Sequence, residues 1–408
     1  MEIVIDARTT QDEVKYNGIG RYARIIIEEL VRNNPDCNFK LILYSAESTL
    51  DSFLSSNPKN VEIISIGEYN QTGFVNMIKH NFDLFFHIRL NKALRNIERK
   101  NSIFFSPYFW RGLPVFKIPT VAVFHDFALV KYNIYSTISV LHNVVRFFHY
   151  WNEIIRMHFV NHLIVDSQYT YDDIFKYLPL MKRDKVSKVL LGVYQEDSNV
   201  VFEKYLPTDW KKREYLLYLG GGLTKNKNSE GVIDSYVEFI KILKEKGINE
   251  DQIPYLVIAG KIFKKEHGNS AFLFSKYFSE KGIEKYVHLT GEYDDNSRWG
   301  LLHNCFAYIH LSLFEGFGFS VAEAMRAKVP VIAHNGSTYP EVVGEGGILV
   351  DGTDPVQTAQ AIYKLYSDRE FGKEIAQKGY IQSLKFDWNI TQQNTIKIIK
   401  DTYNGNIK

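Results

Sequence analysis

Short runs rich in β-branched and aromatic residues recur along this chain, and segments with helical spacing lie between them. "EIVIDA" (2–7), "NFKLILYS" (38–45), "VEIISI" (61–66), "SIFFSP" (102–107), "PTVAVFHD" (119–126), "NHLIVDS" (161–167) and "KVSKVLLGV" (185–193) read as buried strands. "GRYARIIIEELVRNN" (20–34) and "YTYDDIFKYL" (169–178) place apolar residues on one helical face. Strands alternating with helices predict a parallel sheet covered on both faces.

The pattern lapses over about 192–208, a polar stretch read as a linker, and then starts again. "EYLLYLGGG" (214–222), "PYLVIAGK" (254–261), "YVHLTGEY" (286–293), "CFAYIHLS" (305–312), "VPVIAHN" (329–335) and "GGILVD" (346–351) form a second strand series, with helices such as 229–246 and 354–367 between them. The expected fold class is therefore α/β, with two doubly wound Rossmann-like domains over 1–200 and 209–385. Two such domains imply a cleft, and ligands of open parallel sheets bind beyond the carboxyl ends of the strands. Residues that directly follow strands are thus the candidates for function.

Bulk properties exclude several classes. The net charge of +2 over 408 residues gives no argument for nucleic acid. Cys37 and Cys305 are too few and too far apart for a metal site or disulfide framework, which fits a reducing compartment. "MEIVIDARTT" lacks the features of a signal peptide, and no run reaches the ~20 apolar residues of a spanning helix. The chain is expected to be soluble and cytoplasmic, or held at the inner face of the plasma membrane by its surface.

The most informative stretch is "LSLFEGFGFSVAEAMRAKVPVIAHNGSTYPEVVGEGGILVD" (311–351). Gly316 and Gly318 break the chain after a strand, and a helix is expected from about Ser320. Its early N–H groups and dipole attract phosphate. Glu315 in the loop can reach a ligand hydroxyl, and Glu323, a turn into the helix, offers two acceptor oxygens to a vicinal diol. "EGFGFSVAEAM" resembles the E-x7-E motif of the retaining glycosyltransferases of family 4, which have the GT-B fold. The segment that follows, with Pro340–Glu341 and the glycines at 346–347, resembles that family too.

The resemblance implies roles residue by residue. Glu315 would contact the transferred sugar, Glu323 the nucleotide ribose, and the backbone of Phe317, Gly318 and Phe319 the sugar and phosphates. In "LYLGGGLTKNKN" (217–228), Gly221 and Gly222 allow close approach of a ligand, and Lys225 and Lys227 bring positive charge to a departing diphosphate. Lys227–Asn228 fits the family's Lys-Asn pair, while Lys225 stands nearest to a missing arginine. Backbone around Thr290–Tyr293 would seat the nucleobase, and Lys261 is read equally as a surface lysine. His125, at the tip of a strand, matches the family's histidine, whose backbone or ring contacts the sugar, and Asp126 caps or orients the following loop. The final segment is expected to return to the first domain, so that 386–408 completes it.

"NGIGRYA" (17–23) spells the dinucleotide fingerprint G-x-G-x-x-A. Its helix begins too far from the strand that ends at Ala7 for that motif. Gly18 and Gly20 instead resemble the family's N-terminal glycine loop, with the N–H near Gly20 reaching the donor and Arg21 serving phosphate or acceptor.

The expected activity is retaining transfer from a nucleotide-diphosphate sugar to a hydroxyl of a glycan or lipid-linked acceptor, in surface polysaccharide or glycolipid synthesis. No cofactor and no metal are expected, because no Asp-x-Asp motif stands where a metal-dependent transferase needs one. An inverting transferase or an epimerase of the same shape is the alternative, and a non-catalytic nucleotide-sugar binder ranks last. Residues 74–100 carry six Lys/Arg against two Asp/Glu amid aromatics, and 131–160 continue the theme. These stretches fit either an anionic membrane surface or internal packing.

Overall fold

The computed structural model describes the chain apart from residues 13–14, 46, 68–89, 91, 95–96, 98–100, 110–117, 132–150, 152–153, 195–204, 207–213, 221–224, 261–268 and 408. Within the described residues, Met1–Leu129, Tyr135–Gly192 and Asp387–Lys408 form one compact unit. Val193–Phe386, with the short segment Val130–Ile134, forms the other.

The first unit contains β1 (Glu2–Asp6), β2 (Asn38–Leu43), β3 (Val61–Ser65), β4 (Ser102–Ser106), β5 (Thr120–Phe124), β6 (His162–Val165) and β7 (Val186–Lys188). They pair in the order β3-β2-β1-β4-β5-β6-β7, all parallel. Every residue of β4 and β5 is buried, as strands covered on both faces must be. β3 lies at the edge and leaves Ile63 half exposed. The second unit contains β8 (Tyr215–Leu219), β9 (Tyr255–Ala259), β10 (Val287–Gly291), β11 (Ala307–His310), β12 (Val331–His334) and β13 (Ile348–Val350). Their order is β10-β9-β8-β11-β12-β13, again parallel. Both sheets are the α/β architecture expected from the sequence.

The strands are shorter than the apolar runs suggest, mostly at their carboxyl ends. β5 stops at Phe124, so His125 and Asp126 are loop residues. Helix starts follow cap chemistry. Ser167 Oγ accepts from the Thr170 N–H at 3.1 Å, ahead of the helix Gln168–Tyr177. Asp354 accepts from the N–H groups of Val356 and Gln357, ahead of Pro355–Ser367.

The last helix, Trp388–Ile407, packs in the first unit against Gly18–Asn33 and against β4, β5 and β6. Tyr22 stacks on Trp388 with ring centroids 6.1 Å apart, and Thr391 Oγ1 donates to the Leu190 carbonyl at 2.8 Å. Gly192 makes this docking possible. A Cβ there would sit 2.4 Å from Trp388 Cγ and 2.5 Å from its backbone nitrogen, which cannot swing away as a flexible side chain could. Gly192→Ala should lower stability by about 1–3 kcal/mol in urea unfolding. An unchanged midpoint would show that the helix docks without needing this contact.

Candidate active site

In the second sheet the chain runs outward from β8 to β9 and β10, then returns to add β11 on the other side of β8. β8 and β11 therefore flank the topological switch point, where the loops diverge and leave a crevice. Lys225–Lys227 form a short 3-10 turn in the loop after β8, and Glu315 lies in the loop after β11. Lys227 Nζ meets Glu315 Oε1 at 2.6 Å, although the two are 88 positions apart in sequence. Lys225 is exposed, Asn226 between them is buried, and Gly221, Gly222 and Lys261 lie outside the described residues.

Glu315 is held from several sides. His310, the last residue of β11 and itself buried, brings Nε2 to 3.5 Å from the same Oε1. Its Nδ1 lies 2.9 Å from the Tyr308 hydroxyl. Ser337, in the loop after β12, donates to the Glu315 carbonyl at 2.7 Å and accepts from its N–H at 3.1 Å. The side chain of Glu315 is 19% exposed. Burial pushes its carboxyl up, but Lys227 and His310 outweigh that and hold it at about 2. It is therefore an ionised acceptor at neutral pH.

The helix expected from Ser320 begins one residue earlier, at Phe319, and runs to Arg326. Gly318 is its N-cap, with φ +89°, and a Cβ there would stand 2.9 Å from Tyr339 Cε1. A glycine cap offers no side-chain oxygen to the helix, and the Val321 N–H donates to the Gly318 carbonyl at 3.1 Å. Phe317 is buried and packs edge-on against Phe319 and Phe386. Glu323 lies on the buried face of the helix, and its Oε1 is 3.4 Å from Arg298 Nη2, with both side chains almost fully buried.

β10 ends in an irregularity between Leu289 and Gly291, and Gly291 has φ +71°. This re-aims the chain after Thr290. Thr290 and Tyr293 are both half-buried there. The Tyr205 hydroxyl donates to Asp294 Oδ2 at 2.9 Å beside them.

The first unit gathers its own cluster. β5 and β6 are in register with Phe124 opposite Val165, so the next residues, His125 and Asp166, stand side by side. His125 Nδ1 is 3.0 Å from Asp166 Oδ2, and Nε2 is 3.1 Å from the Pro107 carbonyl. Both ring nitrogens therefore have polar neighbours inside this unit. Thr170 Oγ1 donates to the His125 carbonyl at 3.1 Å, and Tyr22 packs edge-on to the ring at 5.1 Å. Asp126 accepts from the Ala128 N–H at 2.8 Å, the cap role weighed from sequence.

One expectation changes here. Gly18 and Gly20 are not in a loop but in the first turn of the helix Gly18–Asn33. The Asn17 side chain accepts from the N–H groups of Ile19 and Gly20, at 3.0 and 3.2 Å. The Gly20 N–H is thus engaged by the cap rather than held out for a donor. The Arg21 N–H continues the turn, donating to the Asn17 carbonyl at 2.9 Å.

Sequence reasoning passed over His310, Ser337, Arg298 and Asp166. His310 and Asp166 could have been found by the rule that singled out His125, since each stands at the carboxyl end of a strand. Nothing local marks Arg298, because its meaning depends on the packing of two distant helices.

Residues 207–382, within the second unit, match the family model of glycosyl transferases group 1. O-antigen chain mannosyltransferase B of Escherichia coli is 31% identical over 93 residues, which is 23% of this chain and 24% of that protein. The chain spans about a quarter of the length of the curated relatives it matches. Among solved structures, HepE of Anabaena in complex with UDP and glucose aligns over 98% of this chain and 99% of its own, with TM-score 0.68 and 15% identity. WaaG, a glycosyltransferase involved in lipopolysaccharide biosynthesis, aligns over 98% and 99%, with TM-score 0.68 and 14% identity. The shared fold is GT-B.

The Lys227–Glu315 pair has a pH signature. A carboxyl whose folded pKa lies below the unfolded 4.5 stabilises the fold above that pH, and the contribution is lost as pH falls toward 2. Lys227→Met should cost about 2 kcal/mol at pH 7. The gap to the natural chain should shrink by up to ~1.4 kcal/mol per pH unit below 4.5. Urea unfolding at pH 7, 4.5 and 3 reads this. A gap constant with pH would mean that Lys227 does not hold Glu315 ionised.

Proposed function

We propose that this chain moves a sugar from a nucleoside-diphosphate sugar to a hydroxyl of a glycan or lipid-linked acceptor, with retention at the anomeric carbon. Its place would be the building of surface polysaccharide or glycolipid. The observation that carries the proposal is the contact of Lys227 with Glu315 where the loops after β8 and β11 diverge. A cation, an ionised acceptor and the N-terminus of Phe319–Arg326 together suit a phosphate joined to a sugar. HepE, which shares the fold, is described in complex with UDP and glucose and with UDP-glucose.

The strand order suits the length of such a donor. β10 stands two strand spacings from β8, about 10 Å. In the proposal the base lies at Thr290–Tyr293, the ribose meets Glu323, the diphosphate meets Lys227 with Lys225 near it, and Glu315 accepts from sugar hydroxyls. Phe317, Gly318 and Phe319 offer backbone beside the sugar. His125 would act through its backbone and ring edge, since both ring nitrogens have polar neighbours inside the first unit.

In the proposed step the bond from the anomeric carbon to the leaving phosphate oxygen breaks. The acceptor oxygen bonds to that carbon on the same face, and its proton passes to the departing phosphate. Lys227 and the helix N-terminus stabilise charge that grows only as the bond breaks, which is what lowers a barrier. These groups do the work without a divalent ion, and the proposal includes metal-independence.

Glu315→Gln should lower turnover by ~100- to 1,000-fold with the donor picked out from a nucleotide-sugar panel by thermal shift. Unchanged turnover would refute the site. The product's anomeric proton coupling in NMR should match the donor's, and inversion would favour the inverting reading. Excess chelator should leave the rate as it was.

A membrane-bound acceptor is part of the proposal. Among the described residues, no helix is long and apolar enough to cross a membrane. Much of 74–100 and 131–160 lies outside the described residues. Within the first stretch Leu90, Leu94 and Ile97 are buried in the core with Val4, Ile42 and Phe104, which favours packing there. In the second, Ile154 and Met157 are buried, while Trp151, Ile155 and Phe159 are 38%, 56% and 59% exposed at a spacing of four. Such a stripe with Arg156 nearby suits an anionic surface at the cytoplasmic face of the membrane. The triple variant Trp151→Ser, Ile155→Ser, Phe159→Ser should no longer float with phosphatidylglycerol vesicles. Equal flotation of both proteins would remove this stripe from the proposal.

A further inference from the structure

Asn228 stands beside Lys227 and has no part in the reaction proposed above. Its φ is +49°, in the left-handed region where asparagine and glycine are the tolerated residues. It is the N-cap of Ser229–Glu245, yet its side chain makes no capping bond to that helix. The amide nitrogen instead donates to the Leu311 carbonyl at 3.2 Å and to the Gly352 carbonyl at 2.7 Å. Those carbonyls follow β11 and β13. Gly231 leaves room for the amide, since a Cβ there would stand 2.5 Å from Asn228 Oδ1.

On the other side of the lysine, the Asn226 carbonyl accepts from the Leu313 N–H at 2.7 Å and from Ser312 Oγ at 2.9 Å. Both neighbours of Lys227 are therefore tied to 311–313, the segment that leads into Glu315. A lysine has a long flexible stem carrying about 2 kcal/mol of rotamer entropy. Fixing its backbone on both flanks leaves only the side-chain torsions to order, and transition-state electrostatics depend on such pre-organisation.

We propose that Asn228 is the positioning residue of Lys227. Its two-carbonyl bridge sets the height of the β8 loop over the β11 loop, and so the reach of the ammonium group to the leaving diphosphate. The proposal rests on Lys227 being the diphosphate contact. An aspartate would not serve, since an ionised carboxylate cannot donate to either carbonyl.

Asn228→Gly separates the bridge from the backbone, because glycine accepts the same φ. The full chain is compared as natural protein, Asn228→Gly, Lys227→Ala and the double variant. The readouts are thermal unfolding, kcat and KM with the donor picked out above, and calorimetric binding of UDP and GDP. Asn228→Gly should keep the fold and lower kcat/KM by ~10- to 100-fold, mostly in kcat. In the Lys227→Ala background the same change should cost less than about 2-fold, because the residue it positions is gone. Equal losses in both backgrounds, or no loss in either, would overturn the role of Asn228 while leaving Lys227 in place. Unchanged turnover and nucleotide binding in Lys227→Ala alone would overturn the reading of Lys227, and this proposal with it. Should Asn228→Gly fail to fold, Asn228→Asp is carried through the same cycle, with the same two results deciding it.

Discussion

The hydrogen bonds between residues 226–228 and residues 311–313 are the constraint on which the geometry of the second unit's candidate site depends. Strands β8 and β11 are neighbours, but only two rungs of their register are paired, Ala307 with Leu216 and Tyr308 with Leu217. Beyond those rungs the loops are free to part, as loops at a switch point do. They are held together instead by the Asn226 carbonyl, the Ser312 hydroxyl and the Asn228 amide. The Lys227–Glu315 ion pair sits on top of this frame. The frame is made of neutral bonds, so it does not have to loosen when the ion pair is exchanged for a ligand.

Buried charge elsewhere in the chain follows the same logic of joining segments. Arg8 is fully buried and forks onto Asp6 with two bonds of 2.7 Å, fixing the turn after β1. Arg298 and Glu323 join the helices that follow β10 and β11. Desolvating two charges costs about as much as their attraction returns, so such pairs are poor sources of net stability. What they do well is penalise every arrangement in which one partner is left alone. In a sheet whose strands pair through uniform backbone bonds, that penalty fixes where loops stand.

The fold was legible because periodicity is local. Each strand and the helices around it announce themselves within ten or fifteen residues, and boundary errors fell mainly at carboxyl ends, where polar residues such as His125 and Asp126 were counted as strand. Site residues were legible only where a local break marks them. Gly316 and Gly318 beside Glu315 are such a break. Asp166 and His310 carry only the mark of a strand's carboxyl end, and Asp166's partner His125 follows a different strand, an adjacency not written in any one stretch. Arg298 would pass for a surface arginine on an ordinary helix until Glu323 is placed against it. Gly20 shows the opposite case: the resemblance implied that its N–H reaches a donor, but the Asn17 side chain already accepts from it and from the Ile19 N–H.

The two glutamates of the E-x7-E stretch illustrate how identical side chains are made different by placement. Glu315 is on a loop, one-fifth exposed, its backbone gripped by Ser337 and its carboxylate by a lysine that is itself 27% exposed. Water and a ligand hydroxyl can reach that pair, and the lysine can turn to a phosphate without leaving a buried charge alone. Glu323 is on a helix, 3% exposed, facing an arginine that is 6% exposed. That pair cannot exchange partners cheaply, because neither member has solvent to fall back on. In the proposed reading, the exchangeable pair meets the reacting end of a donor, where charge moves during the reaction, and the fixed pair meets a ribose, whose hydroxyls keep the same charge throughout.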